Sequence, residues 1–483
     1  MATAKAVKTG TFRVGREAPH PKCPKKNGNS HKRNFAEGTA LLSSQRSNFY
    51  RHFSHLAIVN ILSNLTVPLA GLVDTAFLGH LTEIRHFAGV ALATVLFNYI
   101  YWTFGFLRMA TTGMTAQAVG RGDRDTVLLI GLRNGLLALA IGILIVLLQL
   151  PLRSLGFTLL RAAPEVADSG KAYFDALIWA APATLINYVL IGWFLGRGQS
   201  GGVLLLSVIG SGANVMLDYL LILRLGWESA GAGWATAASQ YLMLLVGMLL
   251  VWRSVGWGQL RSLALQIWDI SALKADFLLN GEILVRTFTL ISTFALFTNL
   301  SSDLGTVILA TNAVLLQVVT LAAYFIDGLA FATESFAGVF RGQGATDRLM
   351  QLLRVSGIAC LTSGLLFAIA FLLFPTPLFS LLTNHSDILD RFPAYVPWLL
   401  PVLGFGSIAY MLDGYFLGLT QGRILRQSAL IAALVGFMPM AIVAWYLRSS
   451  HLLWLALSSF MAARALTLAV KVPQTLKAPL KTP

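Results

Sequence analysis

Long runs of apolar residues dominate the chain and recur at regular intervals. A bilayer core of about 30 Å is crossed by roughly 20 residues of α-helix, so each of these runs is long enough to span a membrane. Six runs occupy about 53–79, 87–118, 127–150, 167–196, 201–223 and 230–252, and six more occupy about 277–300, 305–340, 350–374, 389–418, 427–447 and 452–471. The pattern predicts an all-α polytopic membrane protein with twelve transmembrane helices.

A polar, amphipathic stretch separates the two sets of six runs. We therefore expect an N-lobe over 51–252, a C-lobe over 277–472, and an inter-lobe linker over 253–276 along the cytoplasmic face. A basic cytoplasmic tail at 1–50, expected to be disordered, precedes the first lobe, and a cytoplasmic tail at 473–483 follows the second.

Short motifs repeat between the two halves at one constant offset in sequence, which we call the repeat offset. Gly120-Arg121-Gly122 corresponds to Gly342-Gln343-Gly344, and Gly192, Phe194, Leu195 and Gly196 correspond to Gly414, Phe416, Leu417 and Gly418. Because six spans per half give both halves the same orientation, we expect two lobes related by a pseudo-two-fold axis along the membrane normal, with a cleft between them. The paired glycines are expected to be helix C-caps, since no Walker-type lysine follows them.

Composition and charge agree with a membrane protein and add its orientation. The chain is 56% hydrophobic and only 12% charged, which is unusual for a soluble domain. The net charge of +15 would suit nucleic acid, but 11 of the 36 basic residues precede residue 53 and many others fall in even-numbered loops. The positive-inside rule then places both termini in the cytoplasm, and we expect no nucleic-acid partner. A bacterial inner (plasma) membrane is the expected location, with an organellar membrane as the alternative because the tail is poor in acids.

Acidic and amide side chains inside the predicted spans indicate a cation site, since burying such groups in a membrane is costly. Asp74 ends the first span after Pro68, which cannot donate a backbone hydrogen bond and so can bend the helix. Asn214 and Asp218 lie one turn apart in the fifth span, and Thr236 lies in the sixth. These oxygens could hold Na⁺, with Asp74 and Asp218 as the metal ligands, or the carboxyls could share a proton. Alternatively, Asn214 and Thr236 only join helices.

The second half carries its own charges. Glu282 and Arg286 are one turn apart, which predicts a structural ion pair. Asp327 and Asp413 either line the cleft or join helices. An HExxH motif is missing from the sequence, and we expect no enzyme, no catalytic residue and no cofactor beyond the possible Na⁺. The candidate residues of the substrate cavity are Asn187, Tyr188, Asp327 and Asp413.

Three motifs resemble the multidrug and toxic compound extrusion (MATE) family, and most closely its DinF-like branch. They are Pro68 through Gly79 in the first span, Asn280-Gly-Glu-Ile-Leu-Val-Arg-Thr287 in the seventh, and Asp413-Gly-Tyr-Phe-Leu-Gly418 in the tenth. The resemblance covers residues 50 to 470 approximately. It implies the MATE fold, with Asp74, Asn214, Asp218 and Thr236 at positions that form a cation site in the family.

The same resemblance implies a secondary active antiporter that exports organic, amphipathic or cationic compounds in exchange for H⁺ or Na⁺ by alternating access. Its partners would be a small organic substrate, the coupling ion and the lipid bilayer, and the protein would be a monomer. Two other functions stay open: a flippase for a lipid-linked precursor, which would need a cationic cleft, and a non-transporting membrane scaffold that uses the basic tail.

Overall fold

The computed structural model describes residues 46–79, 81, 83–160, 163–255, 263–380, 389 and 391–477. Twelve helices in these ranges are long and apolar enough to span a membrane, and no strand occurs there. In chain order they are α1 (Phe49–Gly79), α2 (Ile84–Arg121), α3 (Arg124–Leu147), α4 (Pro164–Gly196), α5 (Ser200–Arg224), α6 (Glu228–Ser254), α7 (Ile270–Asp303), α8 (Thr306–Gly342), α9 (Thr346–Leu373), α10 (Phe392–Gly418), α11 (Gly422–Tyr446) and α12 (Ser450–Leu476). The predicted twelve-helix fold is confirmed. Residues 1–45, most of the tail predicted to be disordered, lie outside the described residues, and so do residues 478–483.

The repeat seen in the short motifs extends to whole lobes. Four helices of one half and four of the other begin at residues that correspond at the repeat offset, the one that relates Gly120 to Gly342. The starts are Ile84, Arg124, Ser200 and Glu228 for α2, α3, α5 and α6, and Thr306, Thr346, Gly422 and Ser450 for α8, α9, α11 and α12. The two halves therefore have the same topology, with α1–α6 forming the N-lobe and α7–α12 the C-lobe. Because the number of spans is even, both described ends lie on one face of the bundle, called the terminal face below.

The glycines of the repeated Gly-x-Gly motifs have two different roles. Gly122 and Gly344 follow α2 and α8 with φ of 73° and 72°, the left-handed conformation that glycine adopts at a helix end without steric cost. The prediction that Gly120 and Gly342 are also C-caps was wrong: both are helical residues. Their missing side chains instead allow α2 and α8 to approach each other.

The lobes meet closely at the terminal face. The ring of Phe49 in α1 lies 5.4 Å from that of Phe336 in α8, in an edge-on arrangement. Gln117 of α2 donates hydrogen bonds from Nε2 to the backbone oxygen of Gly418 at 3.0 Å and to Oγ1 of Thr420 at 3.1 Å. This face of the molecule is therefore closed by direct contacts between α1 and α2 on one side and α8 and α10 on the other.

The inter-lobe linker is shorter than its polar composition predicts. A short 3₁₀ helix at Ala264–Trp268 is followed at once by α7, which begins at Ile270 rather than near 277. Asp269 caps this start by accepting a hydrogen bond from the backbone nitrogen of Ser271 at 2.9 Å. The linker is also joined to the N-lobe, because Arg133 of α3 donates to the carbonyl oxygen of Gln266 at 2.7 Å.

Candidate functional site

Two carboxyl groups meet inside the N-lobe, as the sequence predicts. Asp74 of α1 and Asp218 of α5 face each other. Asp218 is completely buried, and neither of its oxygens accepts a hydrogen bond from the described residues. Two carboxylates in such a place cannot both remain charged unless a proton or a cation lies between them, since burial and mutual repulsion both oppose the second charge.

Amide and hydroxyl groups complete this N-lobe site. Asn214 donates from Nδ2 to Oγ1 of Thr236 at 3.2 Å, which joins α5 to α6 beside the carboxyls. Tyr173 of α4, which the sequence analysis did not single out, faces both Asp74 and Asp218 and is 8% exposed. The set of oxygen atoms fits the ligand chemistry of a hard cation such as Na⁺ and equally well a shared proton.

The N-lobe site has no equivalent in the C-lobe. At the repeat offset, Leu296 replaces Asp74 and Met440 replaces Asp218. The two lobes thus share their topology, while the facing carboxyl pair belongs to one of them.

Helix α1 connects this site to the opposite lobe. It is helical without a break through Pro68, and its first half packs along α8 of the C-lobe. Asn64 donates from Nδ2 to the backbone oxygen of Tyr324 at 3.3 Å. Ile61 lies against Gly328, so closely that a Cβ added to Gly328 would be 2.7 Å from the backbone nitrogen of Ile61. Pro68 therefore lies between a half of α1 that contacts the C-lobe and a half that carries Asp74.

The predicted ion pair between Glu282 and Arg286 was wrong. Glu282 pairs with Arg426 of α11, Nε to Oε2 at 3.0 Å, whereas Arg286 pairs with Asp413 of α10. Although one turn separates the two residues on α7, each finds a partner on a different neighbouring helix. Interhelical packing here overrides the local spacing.

Asp413 is held between two guanidinium groups. Its Oδ2 pairs with Arg286 of α7 and with Arg464 of α12, and all three side chains are 7% exposed or less. The triad fixes α7, α10 and α12 to one another inside the C-lobe. Asp413 was a candidate for the substrate cavity, but in this structure its charge is neutralised within the protein.

Another buried ion pair, between Arg108 and Glu334, joins the N-lobe to the C-lobe. Nη1 of Arg108 in α2 lies 3.7 Å from Oε2 of Glu334 in α8, with the two side chains 12% and 1% exposed. The guanidinium also lies 3.9 Å above the ring centroid of Phe331. Arg108 and Arg464 were missed in the sequence, although a charged residue inside an apolar run is the same signal that identified the acids.

A cavity of about 720 Å³ lies between the lobes, in the half of the bundle away from the terminal face. Its described lining is apolar and aromatic with a few amides and hydroxyls, and no charged side chain occurs in it. The polar and aromatic members are Asn98, Tyr99, Trp102, Phe294, Thr298, Asn299, Ser302, Thr320 and Tyr410. An apolar cavity with a few polar groups is typical of a site for a small organic ligand.

None of the four predicted cavity residues lines this cavity. Asn187 is 1% exposed and donates to the backbone oxygen of Gln240 at 2.9 Å, so it joins α4 to α6. Tyr188 faces Arg108. Asp327 lies one turn beyond Ala323, which does line the cavity, and is therefore just below the cavity floor on α8.

Two lobes of one topology, a cavity between them and a pair of carboxyls inside one lobe together define a two-lobed membrane transporter. The MatE family profile matches residues 60–220 and 283–447. The chain belongs to the MatE family, as its motifs suggested.

Named relatives and solved structures agree. The DNA damage-inducible protein F of Escherichia coli (strain K12) is 36% identical over 424 residues, which are 86% of this chain and 90% of that protein. Protein DETOXIFICATION 44, chloroplastic, of Arabidopsis thaliana is 26% identical over 85% of this chain and 79% of that protein. The fold is also that of an outward-facing multidrug resistance MATE family transporter, with a TM-score of 0.81, 20% identity, and coverage of 92% of this chain and 99% of that one.

Proposed function

We propose that the protein exports small organic compounds across a membrane in exchange for H⁺ or Na⁺ by alternating access of the cavity between its lobes. The observation that carries this proposal is the facing pair of Asp74 and Asp218, in which Asp218 is completely buried and accepts no hydrogen bond from the described residues. Such a pair demands a proton or a cation, and it includes a residue of α1, a helix that contacts both lobes.

The carboxyl pair would couple ion binding to the position of α1. A bound ion cancels the repulsion between Asp74 and Asp218, which favours a closer approach of α1 to α5. Because the first half of α1 contacts α8, bending at Pro68 changes how the lobes meet. Ion and substrate then favour different conformations and compete for one equilibrium, which is the condition for antiport.

The cavity supports a flat, amphipathic organic substrate. Its aromatic walls suit stacking, and its amides and hydroxyls suit a few hydrogen bonds. The described lining offers no lysine or arginine for a phosphate-bearing lipid, so nothing in it favours a flippase. Names of relatives that include multidrug resistance and detoxification support the same substrate class.

We further propose that the protein works as a monomer with both termini in the cytoplasm. A bacterial inner membrane is the location we favour. The chloroplastic relatives keep an organellar membrane as the alternative.

The test is efflux of fluorescent organic compounds from proteoliposomes under an imposed proton gradient or an imposed sodium gradient. The intact protein, Asp74→Asn, Asp218→Asn and the control Asp168→Asn are compared; Asp168 is an exposed N-lobe acid paired with Lys171. We expect efflux driven by one gradient, lost in the first two variants and kept in the control. Efflux that persists in Asp74→Asn, or that neither gradient drives, would overturn the proposal.

A further inference from the structure

The ion pair between Arg108 and Glu334 lies where the lobes must separate. It joins α2 of the N-lobe to α8 of the C-lobe, on the terminal-face side of the cavity. Further toward that face, the same helices are in contact around Gly120 and Gly342. If the cavity is to open toward the terminal face, the contact between α2 and α8 must be broken, and this ion pair with it.

Breaking the pair while both groups are charged would be costly. Glu334 is 1% exposed, and neither of its carboxyl oxygens accepts a hydrogen bond from the described residues. Thr112, a hydroxyl of α2 near Glu334, donates instead to the backbone oxygen of Arg108 at 2.8 Å. A separated Glu334 would be an uncompensated buried charge, which is strongly unfavourable. Arg108 would also lose the ring of Phe331, which belongs to α8 as well, but its side chain is the more exposed of the pair, at 12%.

Building on the proposed antiport, we propose that Glu334 is a second coupling site and takes a proton, which replaces the ion pair with Arg108 and releases the lobes at the terminal face. The carboxyl that takes up the proton becomes neutral, so the lobes can separate without leaving the carboxylate of Glu334 as an uncompensated buried charge. This assigns a coupling role to the C-lobe that is independent of the carboxyl pair in the N-lobe.

The surroundings favour a proton over a metal ion at Glu334. The groups that face this part of α8 are Arg108 of α2, Tyr188 of α4, Arg286 of α7, Cys360 of α9, Tyr410 and Asp413 of α10, and Arg464 of α12, with Asp327 on α8 itself. Helix α1 faces the same segment with phenylalanine rings. The two guanidiniums that act on Glu334 itself, those of Arg108 and Arg286, repel a sodium ion, whereas a proton needs only the carboxyl oxygen.

A path from the cavity to Glu334 follows one face of α8. Ala323 lines the cavity, Asp327 lies one turn below it, and Glu334 lies two turns below Asp327. Residues four and seven positions apart share a helix face. Asp327 is therefore placed between the cavity and the ion pair, where a carboxyl group can pass a proton onward.

The experiment measures closure of the terminal face without substrate or ion gradient. Gln117→Cys and Thr420→Cys are combined, in a background with Cys23→Ser and Cys360→Ala, because these two side chains touch across the lobes. The yield of cross-linking with a short bifunctional thiol reagent is then followed between pH 8 and pH 5.5 in detergent and in liposomes. Asp175→Asn is the control, since its pair with Arg153 lies within the N-lobe.

We expect the yield to fall at least threefold as the pH falls, in the parent and in the Asp175→Asn, Asp74→Asn and Asp327→Asn variants. Glu334→Gln should cross-link poorly at every pH, and Glu334→Asp should keep the pH response with a shifted midpoint. Arg108→Gln tests the same pair should Glu334→Gln fail to fold, and it too should cross-link poorly throughout. Full cross-linking in folded Glu334→Gln or Arg108→Gln, or an unchanged pH response in either, would overturn the proposal. Loss of the pH response in Asp327→Asn but not in Glu334→Gln would also overturn it.

This readout is separate from transport. If no efflux is measured but the pH dependence of cross-linking depends on Glu334, the antiport proposal is wrong, while the proton-sensitive contact between Arg108 and Glu334 is supported. If efflux depends on Asp74 while the cross-linking yield does not depend on Glu334, the antiport proposal is supported and the proposal of a second site at Glu334 is wrong.

Discussion

Gly120 and Gly342, equivalent residues of the two lobes, meet across the pseudo-two-fold axis. A Cβ added to either glycine would lie 2.9 Å from the α-carbon of the other and would collide with a backbone carbonyl, that of Val339 or of Gln117. Val339 and Gln117 are themselves equivalent at the repeat offset. The closest approach of α2 to α8 is thus symmetric and depends on the absence of two side chains.

Replacing Gly120 by alanine should hold the lobes apart at the terminal face. The new methyl group would press against backbone atoms of α8, which cannot move aside as a flexible side chain can. We expect the cross-linking yield between Gln117→Cys and Thr420→Cys to fall severalfold. Gly135→Ala in α3 is the control, because nothing lies within 4 Å of its added Cβ, and it should leave the yield unchanged. Equal yields in both variants would contradict the prediction.

Replacing Pro68 by alanine should slow transport without unfolding the protein. Alanine restores the backbone hydrogen-bond donor that proline lacks, so α1 resists bending between its two attachments. We expect a several-fold lower rate of efflux, with substrate binding retained, in the proteoliposome assay. Pro473→Ala, at a proline inside the last described helix and distant in sequence from the cation site, should transport as the parent does. A parental rate in Pro68→Ala would show that bending there is not required.

Replacing Asp413 by asparagine should destabilise the C-lobe. The change leaves Arg286 and Arg464 buried without their shared carboxylate, and breaking a buried pair in this way costs about 3–5 kcal/mol. Thermal unfolding in detergent should show a clear decrease in Tm. Glu282→Gln should have a smaller effect, because its partner Arg426 is 37% exposed and can be hydrated. The interpretation fails if the two variants melt at the same temperature.

Replacing Trp102 by alanine should weaken substrate binding. The indole lines the cavity, and an aromatic contact with a flat ligand contributes enough free energy to make the loss of affinity roughly tenfold. Equilibrium binding of a fluorescent substrate measures the change. Trp234→Ala is the control, since this exposed tryptophan of α6 is outside the cavity lining. Unchanged affinity in Trp102→Ala would place the substrate elsewhere.

Asp123 should stabilise the start of α3 in a pH-dependent way. Partial burial opposes its charge, but hydrogen bonds from Thr126 and from the backbone of Asp125, together with the nearby charge of Arg121, outweigh burial and hold the pKa of Asp123 below its ordinary value. A depressed pKa stabilises the fold at pH values above the ordinary aspartate pKa, and this contribution is lost as the pH falls through the lower, folded value. Asp123→Ala should therefore cost about 1 kcal/mol at neutral pH. The difference from the parent in thermal unfolding should shrink below about pH 4, and a difference that is constant with pH would contradict the argument.

The sequence by itself determined the twelve helices, the two lobes and the N-lobe carboxyls. Each of these depends on a local or periodic property: the length of an apolar run, a repeat at one fixed offset, or the rarity of an acid in a membrane span. The GxG caps at Gly122 and Gly344 were predictable for the same reason, since a helix end needs a residue that tolerates positive φ.

Tertiary structure alone decided which charges pair and where the cavity lies. Glu282 and Arg286 had the spacing of an ion pair, yet helices α10, α11 and α12 brought Asp413, Arg426 and Arg464 closer to them. Arg108 and Glu334 are far apart along the chain and meet only because the lobes pack together. Spacing along a helix specifies which residues share a face, but the neighbour that this face meets is set by how all the helices pack.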